Sequence, residues 1–363
     1  MQIKNFLKNT TSSLTPVLAV ILMTTTATTM LVTMLVTMPA TVAKSETLIN
    51  GAGATFPQPL YSRWFSDYRK IDKSVAINYQ GVGSSGGIRQ LLTGTVDFGA
   101  SDEPMNAEES RKAKAPIHHI PTAMGAVAIS YNLPGSPALK LSPETIADLF
   151  LGKITKWNDA KIVATNPGIK LPDLAIMIAY RSDGSGTTAI MTEYLSVVSP
   201  VWKTKPGQGK SVQWPVGLGG KGNAGVAGMI KQNPGTLGYV ELVYAVSNGL
   251  PVASIKNTAG QFVSPSISAV TAAARTRSKE IIAADFKLSI VNSAGKDAYP
   301  ISSMTWLLIP ENMPANKSVP ITAFLKWAMS DEAQKTAESL HYAPLPKEVR
   351  IAALGRIGKL KFK

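Results

Sequence analysis

From residue 46 onward, short apolar strands alternate with helices and glycine-rich turns, which leaves few architectures open. "ETLIN", "VAINYQ" and "VDFGASD" predict strands, while "PQPLYSRWFSDYRK" and "GIRQLLTG" predict the helices between them. The first helix carries apolar side chains at helical spacing, namely Leu60, Tyr61, Trp64, Phe65 and Tyr68. This β-α-β-α-β order predicts a parallel sheet that binds ligands at the carboxyl ends of its strands.

A second series of the same kind begins with "AMGAVAISYN" (Ala123–Asn132), which predicts an apolar strand. It continues with the helix "SPETIADLFLG", the strand and turn "LAIMIAYRSDGSG", the helix "TTAIMTEYLSVV" and the strands "GTLGYVEL" and "AYPISSMTWLLIP". Two helices, near Ile321–Ser330 and Asp331–Ser339, are predicted to close the fold. A chain of 363 residues with 45% hydrophobic and 17% charged residues is globular and typically divides into two domains or lobes.

The first 43 residues have the features of an export signal. Lys4 and Lys8 form a basic start, Pro16–Pro39 carries no charge, and "TVA" at Thr41–Ala43 supplies small residues for a signal peptidase. We therefore expect residues 1–43 to be a signal peptide that is cleaved after Ala43. The apolar part is longer than usual, so an uncleaved membrane anchor is the alternative, although its threonines disfavour a spanning helix.

The amino-acid composition excludes several kinds of catalytic and metal site. The chain has no cysteine, which excludes disulfides, thiolate catalysis and cysteine-ligated metals, and only three histidines. We expect no metal site and no cofactor. The net charge of +14 falls to +12 when Lys4 and Lys8, the only charges before Lys44, are removed. A positive protein attracts anions, but the basic residues are scattered, so we expect no nucleic-acid partner, and a small anionic solute fits as well.

The stretch "INYQGVGSSGGIRQ" (Ile77–Gln90) fits three kinds of site. "GVGSSG" matches the dinucleotide-binding G-x-G-x-x-G, with Asp97 or Asp102 as the required downstream acid. "GSSGG" matches the nucleophile elbow G-x-S-x-G, with Ser85 as the nucleophile. The third interpretation is a turn before a helix whose free N–H groups hold an anion.

The hydrolase interpretation needs a histidine far downstream of Ser85, and only His341 satisfies that order. His118 and His119 come too early, in a run that looks like a loop. His341 in "LHYAPLP" is better interpreted as a structural residue that packs beside Tyr342.

The anion interpretation is strengthened by two further turns of the same composition. "GAGATFP" (Gly51–Pro57) and "RSDGSGTT" (Arg181–Thr188) also place glycines and small hydroxyl residues at predicted helix starts. Such turns offer unpaired N–H groups at the positive end of a helix. One turn of this kind is ordinary, but three of them, with an arginine in the last, favour an anion site.

These stretches also carry a resemblance to a known family. "GAGATFPQPLYSRW", "NYQGVGSSGGIRQLLTGTVDFGASDEPM", "RSDGSGTT", "WPVGLGGKGN" and "GTLGYVE" together resemble the phosphate-binding proteins of high-affinity phosphate ABC transporters. The similarity extends from Leu48 to about Pro346. It implies an α/β, two-lobed type II periplasmic-binding-protein fold with the ligand between the lobes. Lobe one is expected at residues 45–124 and 298–363, and lobe two at residues 125–297.

The resemblance also implies a phosphate site, residue by residue. Its expected members are Ala54, Thr55, Phe56, Ser84, Asp102, Arg181, Ser185, Gly186 and Thr187, with Asp183 placed to pair with Arg181. Ionised Asp102 is expected to accept the proton that phosphate has and sulfate lacks. A cap for the helix that follows "EPMNAEES" is its alternative role. Lys221 in "GGKGN" lacks the spacing of a P-loop, so this run is interpreted as a turn of lobe two.

The implied function is a periplasmic, monomeric solute-binding protein. It would capture inorganic phosphate and deliver it to the membrane permease subunits of an ABC transporter, without enzymatic activity. The alternative from another class is an exported phosphomonoesterase that holds its substrate in the same cradle.

Overall fold

The structure, a computed structural model, describes residues 46–362. The predicted signal peptide and its cleavage site lie outside this range. The strands are β1 Thr47–Gly53, β2 Val75–Gly81, β3 Phe98–Ser101, β4 Ile117–Tyr131, β5 Lys140–Leu141, β6 Met177–Arg181, β7 Leu218–Gly220, β8 Thr236–Glu241, β9 Ser254–Lys256, β10 Phe262–Val263 and β11 Ser302–Pro310.

Helices fill most of the connections between these strands. They are α1 Gln58–Ile71, α2 Ser84–Thr93, α3 Ala107–Arg111, α4 Pro143–Phe150, α5 Ala160–Thr165, α6 Gly186–Val198, α7 Pro200–Thr204, α8 Gly222–Gln232, α9 Leu242–Ser247, α10 Ile267–Arg275, α11 Ser278–Ala283, α12 Ala315–Ala328, α13 Asp331–Ser339 and α14 Lys347–Ile357. None of the helices in residues 46–362 is both long and apolar enough to cross a bilayer.

Eight strands form one sheet in the order β2-β1-β3-β11-β4-β8-β6-β7, and β10, β9 and β5 form a smaller one. The long strand β4 changes partner in its middle. Its residues up to Ala126 pair with β11, and its residues from Val127 pair with β8. The large sheet therefore has two regions that share β4: a first sheet region with β2, β1, β3 and β11, and a second sheet region with β8, β6 and β7.

Each sheet region contains a strand with parallel neighbours on both sides. In the first, β1 lies between β2 and β3; in the second, β6 lies between β7 and β8. Connections that leave such a strand diverge to opposite sides, which opens a crevice at its carboxyl end. The chain places Ala54–Phe56 after β1 and Ser182–Ser185 after β6, so both crevices are lined by turns predicted to bind an anion.

Helix α1 confirms the predicted apolar face. The side chains that the spacing identified are all buried, namely Leu60, Tyr61, Trp64, Phe65 and Tyr68. Trp64 Nε1 also donates to the Ala333 carbonyl at the start of α13, which satisfies the one polar atom of this large buried ring. The helix is thereby fixed against α13, and it begins directly after the turn that follows β1.

Three local predictions were wrong. His118 and His119 lie within β4, where they pair with β11, because the strand begins at Ile117 rather than near Ala123. His341 is exposed, with a φ of 64°, so it is not a packed residue.

The C-terminal helices also differ from the prediction. Helix α12 begins at Ala315, directly after Pro314, and Lys347–Ile357 forms α14. The three buried residues of α14 are Val349, Ala353 and Ile357, an apolar stripe that is too narrow to stand out among basic residues.

Candidate functional site

The turns that follow β1, β2 and β6 meet at one place between the two sheet regions. The Gly186 N–H donates to Ser84 Oγ over 3.0 Å, and the Ser85 N–H donates to the Gly184 carbonyl over 3.0 Å. Gly83 has a φ of 83°, and a Cβ there would lie 2.3 Å from Asp183 Oδ2. Only glycine can therefore occupy position 83 where the two regions approach.

All nine residues predicted to bind phosphate are buried around this meeting point. They are Ala54, Thr55, Phe56, Ser84, Asp102, Arg181, Ser185, Gly186 and Thr187. The motifs thus predicted a set that the fold brings together.

The peptide groups after β1 are held by three tyrosines. Tyr79, Tyr244 and Tyr342 each donate a hydroxyl hydrogen bond of 2.6 Å, to the carbonyls of Ala54, Thr55 and Phe56 respectively. In a trans peptide the N–H points opposite to the carbonyl, so the N–H groups of Thr55 and Phe56 are directed away from the tyrosines. The Ala54 N–H donates to the Ala100 carbonyl, so Ala54 contributes its position and no free donor. Tyr79 lies in the quoted stretch Ile77–Gln90, but the sequence motifs assigned no role to any of the three tyrosines, which come from separate segments.

Ser84 is the first residue of α2, and its hydroxyl lies inside the site. Ser84 Oγ accepts from the Gly186 N–H over 3.0 Å and from the Asp102 N–H over 3.4 Å. The "GSSGG" run therefore belongs to the first turn of a helix that begins earlier than predicted. Gly87 packs on β1, since a Cβ at Gly87 would lie 2.3 Å from the Gly53 Cα.

Arg181 supplies the positive charge of the site, and Asp183 orients it as predicted. Arg181 Nε donates to Asp183 Oδ1 over 2.8 Å, and the guanidinium NH2 group donates to Asp183 Oδ2 over 2.6 Å. Burial acts to raise the pKa of Asp183, but the hydrogen bonds and charge of Arg181 outweigh it, so this pKa lies below its usual value. The pair with Asp183 fixes the orientation of the planar guanidinium group. Arg181 Nη1 is left for the site, where it donates to Thr187 Oγ1 over 3.2 Å.

Asp102 is the buried carboxylate at the end of β3. Its Oδ1 accepts from Thr305 Oγ1 over 2.8 Å. Burial raises the pKa of Asp102 to about 7, although the Thr305 hydrogen bond and the charge of Arg181 act in the opposite direction. Asn106, not Asp102, caps α3, because the Asn106 side chain accepts from the Glu109 N–H. The helix-cap alternative for Asp102 is therefore wrong.

Ser185 and Gly186 form the start of α6. The Ser185 hydroxyl accepts from the Thr188 N–H over 3.1 Å and so caps the helix. Position 186 must be small, because a Cβ there would lie 2.6 Å from both Asp102 Cβ and Ser84 Oγ.

A fourth helix start, which was predicted only as a turn, completes the site. Helix α8 begins at Gly222, and the Gly222 N–H donates to Asp183 Oδ1 over 3.0 Å. The next residue, Asn223, is fully buried and donates from Nδ2 to Thr55 Oγ1 over 2.9 Å and to Thr187 Oγ1 over 3.2 Å. The signal was present in the sequence, because "GGKGN" combines glycines with a small polar residue, as the three turns predicted to bind an anion do.

A second carboxyl group lies beside the site. Glu241, the last residue of β8, is fully buried, and its Oε2 accepts from the Val243 N–H over 2.8 Å. Burial raises the pKa of Glu241 well above its usual value, and the charge of Asp102 adds to the rise. Burial therefore favours the neutral form of Glu241, whereas the pKa of Asp102 lies at about 7.

The other residues considered from the sequence have structural partners. Asp97, the acid considered for a dinucleotide, pairs with Lys317 Nζ over 2.7 Å and accepts from the Asn50 N–H. Among residues 46–362, no hydrogen bond joins Ser85 to a histidine, and no group of three or more acidic or histidine side chains is placed to hold a metal ion.

The chain is similar to a known family over most of its length. Residues 38–332 match the PBP superfamily domain. The "Phosphate-binding protein PstS" of Xylella fastidiosa is 45% identical over 313 residues, which are 85% of this chain and 84% of that protein. The protein of the same name from Pasteurella multocida is 44% identical over 304 residues, or 83% of this chain and 87% of that protein.

The fold agrees with solved structures as well. A phosphate-binding protein from Stenotrophomonas maltophilia superposes with a TM-score of 0.66 at 21% identity, and the match covers 85% of this chain and 94% of that one. The predicted α/β type II periplasmic-binding-protein fold is confirmed. The chain belongs to the PBP superfamily and, within it, to the family of PstS phosphate-binding proteins.

Proposed function

We propose that this protein is the solute-binding component of a phosphate ABC transporter and binds inorganic phosphate at the site described above. The observation that carries the proposal is the convergence of four helix starts, those of α1, α2, α6 and α8, on one buried arginine and one buried carboxyl group. Helix starts and Arg181 favour an anion with several acceptor oxygens. Asp102 adds a single acceptor, which suits an anion that still carries a proton.

The proposed ligand contacts are those predicted from the sequence, with Ala54 serving through its position. Donors would come from the N–H groups of Thr55 and Phe56, the hydroxyl groups of the site and Arg181. The Gly186 N–H, which donates to Ser84 Oγ, would have to exchange that bond to reach the ligand. Because Arg181 is paired with Asp183, most of the binding comes from neutral dipoles, which leaves the ligand releasable.

The proposed mechanism includes closure of two lobes around phosphate. The lobe boundaries near residues 124–125 and 297–298 stay predictions. The change of partner within β4 after Ala126 supports a hinge there, since the first sheet region carries Thr55, Ser84 and Asp102 and the second carries Arg181. A ligand that contacts both regions binds the closed form better and shifts the equilibrium toward it.

Calorimetry on the chain from residue 44 to 363 tests the proposal, with phosphate, arsenate and sulfate as ligands. We expect phosphate and arsenate, which carry a proton near neutral pH, to bind, and sulfate to bind more weakly. Equal binding of sulfate, or no binding of phosphate, would contradict the proposal.

The alternative, an exported phosphomonoesterase, has no support from the comparisons, because the relatives carry the names of binding proteins. Release of phosphate from a chromogenic ester, measured beside calorimetry, separates the two functions. The periplasmic location, the monomeric state and delivery to permease subunits belong to the same proposal. They are testable by cell fractionation, by sedimentation and by transport measurements with the cognate permease.

A further inference from the structure

The "GGKGN" run contributes a side chain for which the proposed ligand contacts assign no role. Asn223 is fully buried, and every polar group of this residue that faces the site has a partner. Besides its two Nδ2 bonds, its backbone N–H donates to Thr55 Oγ1 over 3.2 Å, and its Oδ1 accepts from the Glu241 N–H over 2.9 Å.

The Glu241 bond fixes which way the amide of Asn223 points. A backbone N–H can only donate, so the atom that faces Glu241 must be the amide oxygen. The NH2 group is therefore turned toward Thr55 and Thr187. The hydroxyl oxygens of Thr55 and Thr187 each accept a hydrogen bond from Asn223 Nδ2. The lone pair that each of them uses for this bond is not available to accept from a ligand.

The bond count of each threonine hydroxyl then leaves one role for its proton. A hydroxyl group has one O–H donor and two acceptor lone pairs. Thr55 Oγ1 accepts twice, from Nδ2 and from the N–H of Asn223. Thr187 Oγ1 also accepts twice, from Asn223 Nδ2 and from Arg181. Both acceptor positions of each hydroxyl oxygen are therefore used. The groups that fill them are donors and cannot accept the hydroxyl proton, which is left for an acceptor atom of the ligand.

Ser84 has the same arrangement without Asn223. Its Oγ accepts from the N–H groups of Gly186 and Asp102, so its O–H is left to donate as long as the Gly186 N–H keeps this bond. Three hydroxyl groups of the site are thus restricted to donation. Among Thr55, Thr187, Ser84 and Asp102, Asp102 is therefore the side chain that can accept a ligand proton.

We infer that Asn223 is a positioning residue that holds the hydroxyl groups of Thr55 and Thr187 as donors to the bound anion. The inference rests on the proposed function and refines it by assigning a role to Asn223. Thr55 belongs to the first sheet region and Thr187 to the second. The Asn223 side chain thereby orients one hydroxyl donor from each sheet region, and both hydroxyl groups suit unprotonated oxygens of an oxyanion. An asparagine that merely supported the fold would not affect binding through these two hydroxyl groups.

Two double-mutant cycles test the inference, with inorganic phosphate as the probe and calorimetry as the measurement. The first combines Asn223→Ala with Thr55→Val, and the second combines Asn223→Ala with Thr187→Val. Each single substitution should weaken phosphate binding at least about tenfold, and each pair should lose at least about fivefold less than the product of its single losses. Losses that multiply to within about twofold in both cycles would overturn the inference, because independent sites behave in that way.

A second variant and a control keep the result interpretable. Asn223→Asp retains the shape but puts an acceptor where the donor was, so both hydroxyl groups turn toward the carboxylate and binding should fall further than in Asn223→Ala. Wild-type affinity in Asn223→Asp would overturn the inference even if the alanine variant does not fold. The matched control is Asn233→Ala at the exposed C-terminal end of α8, where Nδ2 donates only to the Met229 carbonyl; it should bind like the wild type.

The wild-type titration separates a failure of the inference from a failure of the proposed function. If the wild-type chain does not bind phosphate, the proposed function is wrong and the inference falls with it. If the wild type binds and the cycles are additive, the inference alone is wrong.

Discussion

At the scale of single residues, the protonation of Asp102 decides which anion the site accepts. Every other side chain described at the ligand position donates or is already paired, while Asp102 has one oxygen held by Thr305 and another free to face the ligand. As a carboxylate it accepts a hydrogen bond from a protonated oxygen of phosphate. Against fully deprotonated sulfate it places two acceptors face to face, which is unfavourable by several kcal/mol when both are buried.

We expect Asp102→Asn to remove this discrimination. The amide nitrogen donates to an unprotonated oxygen, so sulfate loses its penalty. Phosphate loses the hydrogen bond that it donates to the Asp102 carboxylate, but it also loses the repulsion between two like charges. The phosphate-to-sulfate affinity ratio should fall at least about tenfold, or ~1.4 kcal/mol. Competition of sulfate against labelled phosphate in both proteins, at one ionic strength, measures it. An unchanged ratio would mean that selectivity resides in other residues.

A pH dependence follows from the pKa of about 7 for Asp102. Below this pH Asp102 is protonated and can donate to sulfate; above it, the carboxylate repels sulfate. Since sulfate binds the protonated form, its affinity should fall as pH rises through about 7, by up to about tenfold per pH unit above the pKa. Direct sulfate titrations at about pH 6, 7 and 8.5 measure the slope. Asp102→Asn should show none, and the same slope in that variant would assign it to another group, such as Glu241.

At the scale of helices and strands, the position of glycine at helix starts controls how closely the two sheet regions approach. Gly186 begins α6 and contacts Asp102 and Ser84, which belong to the other region. Gly228, in the interior of α8, has nothing within 4 Å of the position that a Cβ would take. Substitution by alanine at both positions therefore distinguishes the effect of close packing at Gly186 from the effect of helix propensity, which both substitutions share.

We expect Gly186→Ala to weaken phosphate binding by about five- to 150-fold, because the methyl group would overlap the Asp102 side chain, and such overlap typically costs about 1–3 kcal/mol. Without ligand the two proposed lobes can separate and relieve this overlap, so the ligand-free protein should keep its melting temperature or gain slightly, since alanine favours a helix. Calorimetry and thermal melting of both variants check this. Gly228→Ala should bind normally, and equal loss in the two variants would refute the packing argument.

A helix or strand could be predicted where its own sequence has a clear hydrophobic periodicity. Helix α1 could be predicted down to its buried face because Leu60, Trp64 and Phe65 repeat at helical spacing. The first half of β4 could not, since the place of the polar residues His118 and His119 in the strand depends on pairing with the distant strand β11. Asn223 was missed for a similar reason, because its role depends on Thr55 and Thr187, which lie far away in the chain.

At the scale of the whole molecule, two predictions concern what the mature chain is and how it moves. If residues 1–43 form a cleaved signal, the protein recovered from the periplasm should begin at Lys44. Intact-mass measurement on that fraction decides this. A mass that includes residues 1–43 would favour the membrane anchor instead.

The second prediction concerns an ion-pair group that joins the two predicted lobes. Lys210 follows α7 in the second lobe, and its Nζ lies 3.0 Å from Glu109 Oε2 and 3.2 Å from Glu103 Oε2 in the first lobe. Its side chain is only 8% exposed, so water screens these pairs less than ordinary surface pairs. The pairs exist only when the lobes are close together, and they therefore stabilise the closed form. Lys210 meets the ligand site only through its backbone carbonyl, which accepts from the Ser185 N–H and is unchanged by a side-chain substitution.

We expect Lys210→Met to shift the protein toward the open form and to weaken phosphate binding by about 1–2 kcal/mol, or roughly five- to thirtyfold, mainly through faster release. Small-angle scattering should show the wild type becoming more compact with phosphate, and the variant should need more phosphate to reach the same radius of gyration. Lys156→Met, which breaks an exposed pair with Asp173 inside the second lobe, is the control and should match the wild type. If phosphate leaves the scattering of the wild type unchanged, the lobes do not close on the ligand. If Lys210→Met titrates like Lys156→Met, the pairs with Glu103 and Glu109 do not hold them closed.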